Sequence, residues 1–496
     1  MRRRRTASAA LALLLAGCAS APAYRSSAVQ VPPAFRETVI DTASRVPPAV
    51  ADTAPAPAAT ETAPPVDQAA FWRTLGDSTL DRLMDELRRA NLDVQAAAAR
   101  VRGARAARTA AALDLVPTVT VGGGYTRQRL SSAAFPIGGG TFPDQDIWDA
   151  GFDASWELDL FGRVRRSVQA QGALVGAARE DLRDVQVSLS AELARTYFEL
   201  RGAQERLAVA LRNAENQRRT LEVTQQRLDA GRGTAFDTER ARTQLGFTLA
   251  SIPTLEAQVA SAQYQIAVLV GRPPASLADE LSATAAIPPL PAGVSVAAPD
   301  SLIRRRPDVS SAERQVAAER AFVGAAKADY LPRISVGGSA GYSATELGGL
   351  GDAGTFRYAV GPVISWPALN LGRVKARVDA SRARALEAEA VYSQTVLRAL
   401  QEVETGLLRY RTARVRVERI GDAAAASARA AELARLRFEG GVADFLQVLD
   451  AERTQLDAED QLAQAHTDAA TSYAALYKAL GGEPPDAGGS ASAPER

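Results

Sequence analysis

The chain is written twice. Trp156-Glu157-Leu158-Asp159-Leu160-Phe161-Gly162-Arg163-Val164 returns as Trp366-Pro367-Ala368-Leu369-Asn370-Leu371-Gly372-Arg373-Val374. The copies then stay in register, with Gly231 matching Gly441, Gly271 matching Gly481 and Pro274 matching Pro484, a shift of 210. Upstream of the tryptophans the shift is 215, pairing Asp93-Val94 with Asp308-Val309, Pro117 with Pro332 and Gly122 with Gly337. Only Tyr125–Trp148 against Tyr342–Phe356 differs in length, which places a surface loop there. A length of 496 residues allows two or three ordinary domains, but the duplication points to one fold of two halves.

The first residues read as an export signal. Arg2 to Arg5 precede the short apolar run Leu11-Ala12-Leu13-Leu14-Leu15, too short to span a bilayer. Leu15-Ala16-Gly17-Cys18 resembles a bacterial lipobox, with Cys18 as the acylated first residue of the mature chain. Cys18 is the only cysteine, so no internal disulfide can form. Ala19 follows it where an Asp would be a retention signal, and the resemblance then implies sorting to the outer membrane. Residues 18–66 are rich in Ala, Pro, Thr and Ser and read as a flexible tether, and 483–496 as a disordered tail. Charges nearly balance, and removing the four arginines leaves a slightly acidic chain, which gives no support to nucleic-acid binding.

From Arg163 to Leu228 there is no proline. Positions 193, 200, 207, 214, 221 and 228 are Leu, Leu, Leu, Ala, Leu and Leu, a seven-residue apolar repeat supplemented by Leu182, Val185, Leu189, Tyr197 and Leu211. The stripe survives in the second copy as Val403, Tyr410, Val417, Ala424, Ala431 and Phe438. Each long helix would run roughly 100 Å at 1.5 Å per residue. Helices over about 80–113 and 236–270 are half that length, so two stacked end to end match one long one.

Between the helices lie period-two segments. Val119, Val121 and Tyr125 alternate with Thr118, Thr120, Gly122 and Thr126; Phe152, Ala154, Trp156 and Leu158 alternate with Asp153, Ser155 and Glu157. The third runs Ile334, Val336, Ala340 and Tyr342, and the fourth carries Tyr358, Val360, Ile364 and Trp366 on one face. One apolar face with aromatics near the ends fits a membrane barrel strand, and a half-buried soluble sheet shows the same pattern. If the strands sit in lipid, their count decides the assembly. An open sheet edge cannot lie in hydrocarbon, and four strands fall short of the minimum of about eight for a barrel, whereas three chains give twelve.

These residues resemble an outer membrane factor of the TolC/OprM type, closest to the lipid-anchored channels of tripartite, RND-type efflux systems. The resemblance rests on Phe71-Trp72-Arg73-Thr74-Leu75-Gly76-Asp77, Asn91-Leu92-Asp93-Val94, Trp156 to Val164, Arg304-Arg305-Arg306-Pro307-Asp308-Val309 and Leu449-Asp450-Ala451-Glu452-Arg453-Thr454, and covers about residues 67 to 482. It implies a mainly α fold with β: a trimer whose twelve-stranded outer membrane β-barrel continues into a periplasmic α-helical barrel. The expected divisions are a signal peptide over 1–17, the lipidated tether over 18–66, repeat 1 over 67–290 and repeat 2 over 291–482. Within them, strands are expected at about 117–127, 150–158, 332–343 and 356–366, and helices at about 163–230, 235–270, 373–439 and 444–480. The Pro-rich stretch Pro273–Pro299 falls in or near the equatorial belt.

The resemblance also implies site residues. The turns at Arg227–Thr234 and Arg437–Asp444 would meet a periplasmic adaptor protein through Gly231, Gly233, Thr234, Gly440, Gly441 and Asp444. Leu446, Asp450 and Arg453 would form the periplasmic gate: an apolar ring, a ring of three carboxylates, and a cation one turn away that bridges to them. Read from the residues alone, Asp450 and Arg453 are a solvated pair on a helix surface. The first repeat carries Arg240 where the second has Asp450, so gating contacts are asymmetric. Implied partners are two further copies, the adaptor, an inner-membrane RND-type transporter and outer membrane lipid.

Catalysis finds no support. His466 is the single histidine, set among Ala, Gln and Thr, and no Gly-rich phosphate loop follows a strand. No cofactor or metal is expected beyond the N-acyl and S-diacylglycerol lipid on Cys18. Two other readings remain: the same channel serving type I protein secretion, and a structural coiled-coil envelope lipoprotein. The latter explains the lipobox and heptads but not the strands.

Overall fold

The computed structural model describes residues 31–37, 68–131, 143–291, 294, 296 and 298–482. Cys18, the signal, most of the tether and the tail lie outside the described residues. The elements are α1 Gln68–Arg73, α2 Ser78–Ala90, α3 Leu92–Leu113, β1 Thr118–Gln128, β2 Gln145–Leu158, α4 Arg163–Asp229, α5 Ala235–Leu269, α6 Pro299–Arg305, α7 Pro307–Ala328, β3 Arg333–Ala344, β4 Phe356–Ser365, α8 Leu371–Glu439 and α9 Phe445–Ala479. Three one-turn 3-10 segments, Pro274–Leu277, Leu347–Gly349 and Ala368–Asn370, join them. Strand β2 starts at Gln145, earlier than the alternation suggests. The expected helix over 80–113 is two helices, α2 and α3, because Asn91 turns the chain and caps α3 through Oδ1, which accepts from the amides of Asp93 and Val94.

The described residues form two compact units, one drawn from 99–131, 143–179 and 311–394 and the other from 31–37, 68–98, 180–310 and 395–482. The first holds an antiparallel sheet in the order β1-β2-β3-β4. Its register puts Val121 opposite Phe152, Phe152 opposite Ala340 and Ala340 opposite Tyr358, so the apolar residues of all four strands share one face. The other face carries Thr120, Asp153, Ser339 and Ala359 and is mostly small or polar, with Ile147 and Val363 the large apolar exceptions. Gly151 faces Gly341 there, and a Cβ on Gly151 would lie 2.7 Å from the Ala340 carbonyl oxygen, so this close approach needs glycine.

The two strand-to-helix junctions diverge. Both tryptophans are held alike: Trp156 Nε1 donates to the Leu115 carbonyl at 2.9 Å and Trp366 Nε1 to that of Tyr330 at 3.0 Å. In the first junction Asp159 caps α4, accepting from the amides of Val164 at 3.0 Å and Arg165 at 2.9 Å. In the second, Leu369 stands in its place and is 99% exposed.

The second unit is built on one large apolar cluster. Phe71 and Trp72 are buried, with ring centroids 4.5 and 4.7 Å from that of Tyr477. Heptad residues Leu193, Leu200 and Val403 are fully buried in it, while Leu211 is exposed on a single chain. Asp77 caps α2 and accepts at 2.6 Å from the Tyr197 hydroxyl, and burial followed by that hydrogen bond pushes the phenol up to about 12. The segment after Pro274 is pinned by its carbonyls: Arg201 donates to Ala283, Gln204 to Leu281 and Tyr410 to Pro291.

The duplication is visible in single hydrogen bonds. Asn91 Nδ2 donates to the Leu269 carbonyl, and its counterpart Arg306 donates through Nη1 to the Ala479 carbonyl, both at 2.8 Å. Arg306 is nearly buried and also holds Asp308 through two bonds and Glu402 at 2.7 Å.

Residues 31–37 lie within the stretch expected to be a loose tether, yet Phe35 is 2% exposed in the cluster. The amides of Arg36 and Glu37 donate to the two carboxylate oxygens of Glu404, and Glu37 pairs with Arg411 at 2.8 Å. The compositional argument averages over the segment, and one aromatic supplies the burial it overlooks.

Helices α4 and α9 touch at Gly202. A Cβ there would lie 2.9 Å from Thr467 Cβ and closer still to its Oγ1. Gly202→Ala should therefore destabilise the fold by about 1–3 kcal/mol. Adding Thr467→Ala removes the Oγ1 overlap but keeps a Cβ 2.9 Å away, so it should recover only part of that loss in the thermal midpoint of the detergent-solubilised protein.

Candidate functional site

The two helical hairpin turns are built by the same local chemistry. Each long helix ends on a left-handed glycine, Gly231 at φ +67° and Gly441 at φ +74°. In the first turn the Arg232 amide donates to the Arg227 carbonyl and the Gly231 amide to that of Leu228. In the second, Val442 donates to Arg437 and Gly441 to Phe438, so both are Schellman closures. The next helices start on side-chain caps: Thr234 Oγ1 accepts from the Asp237 amide at 3.2 Å and Asp444 Oδ1 from the Gln447 amide at 3.1 Å. Gly233 lacks room for a side chain, since a Cβ would approach Leu228 N at 3.0 Å. Gly440 is less confined, with the Leu436 carbonyl oxygen 3.4 Å from such an atom.

A small apolar core joins the two turns. Ala241, Phe438, Phe445 and Val448 are buried together, with the two phenylalanine rings 5.8 Å apart. Arg227 closes this core from α4: its guanidinium sits 4.0 Å above the Phe438 ring and donates to the Phe438 carbonyl at 2.7 Å.

Arg227 is the last rung of a polar ladder that sequence inspection missed. Arg206 binds Asp460 through Nε at 2.7 Å and Nη2 at 3.2 Å. Asn213 donates to Glu459 at 3.3 Å, and Thr220 donates to Glu452 at 2.9 Å. Positions 206, 213, 220 and 227 step by seven, one residue before the apolar heptad, so the period was the available signal. Glu452 is the buried carboxylate of the region, 3% exposed, and accepts from Arg435 Nε at 2.8 Å as well.

Leu446, Asp450 and Arg453 follow on α9 and are all exposed in the single chain, Leu446 at 44%. Among the described residues no ion pair joins Asp450 to Arg453 within one chain. The neighbouring Glu452, not Asp450, carries the contacts that hold α9 to α4 and α8. Arg240, the counterpart of Asp450, lies 5.3 Å from the centroid of the Phe236 ring. His466 stands 3.6 Å from Glu205 and is partly exposed. Among the described residues no helix is long and apolar enough to cross a membrane, and no group of His, Cys, Asp and Glu is placed to hold a metal ion.

Comparison with known proteins agrees with this architecture. The profile of the outer membrane efflux protein family matches residues 83–272 and 298–482. The outer membrane protein OprJ of Pseudomonas aeruginosa is 30% identical over 95% of this chain and 94% of its own length. The solvent efflux pump outer membrane protein SrpC of Pseudomonas putida is 30% identical over 82% of this chain and 86% of its own. Among solved structures, the outer-membrane channel OprN is 38% identical and superposes with a TM-score of 0.78, covering 87% of this chain and 99% of that one. The open state of the MtrE outer membrane channel of Neisseria gonorrhoeae is 26% identical with a TM-score of 0.76, covering 93% and 98%.

Removing the Glu452 carboxylate takes the shared acceptor from Thr220 and Arg435 and leaves Arg435 with Gln455. Glu452→Ala should cost about 1–3 kcal/mol and speed proteolysis at the two turns. Asp450→Ala, an exposed change, should stay within about 0.5 kcal/mol of the parent in the same assay.

Proposed function

The chain belongs to the outer membrane efflux protein family, a family of channels rather than enzymes, and from that premise we propose that it is the exit duct of a tripartite pump that releases small molecules to the exterior. The observation that carries the reading is the sheet: one face apolar, one face mostly small and polar, and two long edges left open in a single chain. Closed by two further copies, such a sheet presents the apolar face to lipid and the polar face to a water-filled lumen. Two relatives are named for the export of solvents and of pyoverdine, which favours small molecules over secreted proteins as cargo.

In this reading the paired turns receive the periplasmic adaptor. Their backbones are suited to it, since Gly231 and Gly441 are open on their outer side and let a partner approach the main chain. An inner-membrane transporter of the RND type supplies cargo through that adaptor. Leu446, Asp450 and Arg453, exposed in one chain, gain partners only around a threefold axis. There Leu446 narrows the passage and Arg453 bridges to Asp450 of its own or a neighbouring copy. Adaptor binding opens this iris by shifting the hairpins. Cys18, acylated, anchors the N-terminus in the outer membrane.

Closed-state conductance in planar bilayers tests the gate. Asp450→Ala should raise it several-fold, and an unchanged conductance would remove Asp450 from the gate. Cys18→Ser should abolish incorporation of labelled palmitate while leaving the trimer intact on native gels.

A further inference from the structure

The apolar face of the sheet ends in charge at one place. Tyr125 of β1 lies opposite Trp148 of β2, and Tyr342 of β3 lies opposite Phe356 of β4, with ring centroids 4.5 and 5.7 Å apart. These aromatic pairs stand at the hairpin end of the strands, the end away from the helices that precede β1 and follow β2. Two residues further along the same face, Arg127 lies opposite Asp146. We propose that Arg127 and Arg129 hold the phosphate of an anionic lipid headgroup at the outer rim of the barrel, one such site in each subunit. The proposal rests on the barrel reading and adds to it a preference among lipids.

The two arginines share two carboxylates. Asp144 accepts from Arg127 Nη2 at 3.3 Å and from Arg129 Nε at 2.5 Å. Asp146 stands 3.7 Å from Arg127 Nη1 and accepts from the Tyr125 hydroxyl at 2.7 Å. These bonds use only part of each guanidinium fork. The arginine side chains are 61% and 66% exposed, against 37% and 40% for Asp144 and Asp146, so the donors left over are the accessible part of the cluster. Tyr125 ties the cluster to the aromatic row, since its hydroxyl holds Asp146 while its ring packs on Trp148.

Closing a hairpin does not call for these arginines. The second hairpin turns through residues 344–355, which contain no Lys or Arg, and closes on the Ser343 amide donating to the Thr355 carbonyl at 2.9 Å. A water-filled lumen does not explain them either, because Arg127 and Asp146 stand on the apolar face with Val121 and Phe152. Trp and Tyr rings favour the level where hydrocarbon gives way to water, which sets the neighbouring arginines among headgroups. The anion abundant at that level is the headgroup phosphate, and a planar guanidinium fork matches it with two parallel bonds. A phosphate takes the donors that are free and does not have to expel Asp144 or Asp146.

Lipid-dependent quenching of Trp148 tests it in the full-length protein reconstituted into vesicles. Trp156→Phe with Trp366→Phe leaves Trp148 and the buried Trp72 as the tryptophans. Brominated phosphatidylglycerol should occupy the site beside Trp148 about fivefold better than brominated phosphatidylcholine, the effect of about one basic residue at an anionic surface. Arg127→Gln with Arg129→Gln should bring that ratio to about one. Asp144→Asn with Asp146→Asn should raise it above the parent, because the carboxylates no longer compete for the forks. A cluster that merely ties the hairpin gives no preference in the parent. A parent ratio of one, or a preference that survives the arginine double variant, overturns the site and leaves the barrel standing. Inorganic phosphate that erases the preference, where sodium chloride of equal ionic strength does not, overturns the lipid as occupant. Absence of Trp148 quenching by either lipid overturns the barrel reading as well. If the tryptophan variants fail to assemble, native mass spectra with the tryptophans intact decide: the arginine double variant should retain several-fold fewer phosphatidylglycerol molecules per trimer, and equal numbers overturn the site.

Discussion

A sheet edge cannot face hydrocarbon. Each unpaired amide or carbonyl there costs several kcal/mol, and this chain ends its sheet on two strands, β1 and β4, that run 11 and 10 residues and are each paired on one side only. No local device relieves that cost. Pro362 removes one donor from β4, a position tolerated at an edge, but the remaining backbone groups still need partners. Closure by identical copies is the solution the four-strand count permits. Because α4 begins five residues after β2 and α8 six after β4, a ring of strands imposes a ring of neighbour relations on the helices that follow.

Within the chain, those helices are held by two kinds of contact that sit one residue apart on α4. The apolar heptad supplies burial through Leu193 and Leu200, and the polar ladder from Arg206 to Arg227 fixes which residue of α8 or α9 each turn must meet. Apolar surface is indifferent to a slide along the helix, whereas a buried carboxylate such as Glu452 is satisfied only where Thr220 and Arg435 reach it. The ladder ends at the small core of Phe438 and Phe445, so the position of the two turns is set by packing from the same chain.

Much of the fold was legible because periodicity reports burial directly. The seven-residue stripe and the alternation in Val119, Val121 and Tyr125 each follow from one face meeting one environment. The motif residues were legible as a set but not as contacts. Nothing in the linear sequence says that Arg306 reaches Ala479 and Glu402, since that depends on helices brought together from opposite ends of the chain. The break at Asn91 was readable in principle from a capping residue ahead of Leu92-Asp93, but the continuing apolar pattern on both sides masked it. Phe35 escaped because composition describes a segment and docking depends on one side chain. At the gate, the family resemblance implied an Asp450–Arg453 bridge where the residues alone read as a solvated pair; within one chain the local polar contacts go to Glu452, and α9 leaves the other two exposed.

The divergence of the two halves has a physical logic in which the seam within the chain and the seam between copies face different costs. The in-chain halves are covalently joined, so their association loses little translational freedom and can be spent on polar pairs that define register. Copies must meet from separate chains, and only a surplus of burial offsets the freedom they lose. The two strand-to-helix junctions show the divergence directly. Asp159 is used internally, capping α4 with its side chain 8% exposed, while Leu369 abandons the cap and offers its whole side chain outward. A lone chain gains nothing from that exchange, since it loses a helix cap and hydrates a leucine. The exchange becomes favourable only where something beyond the chain, a neighbouring copy or lipid, removes Leu369 from water.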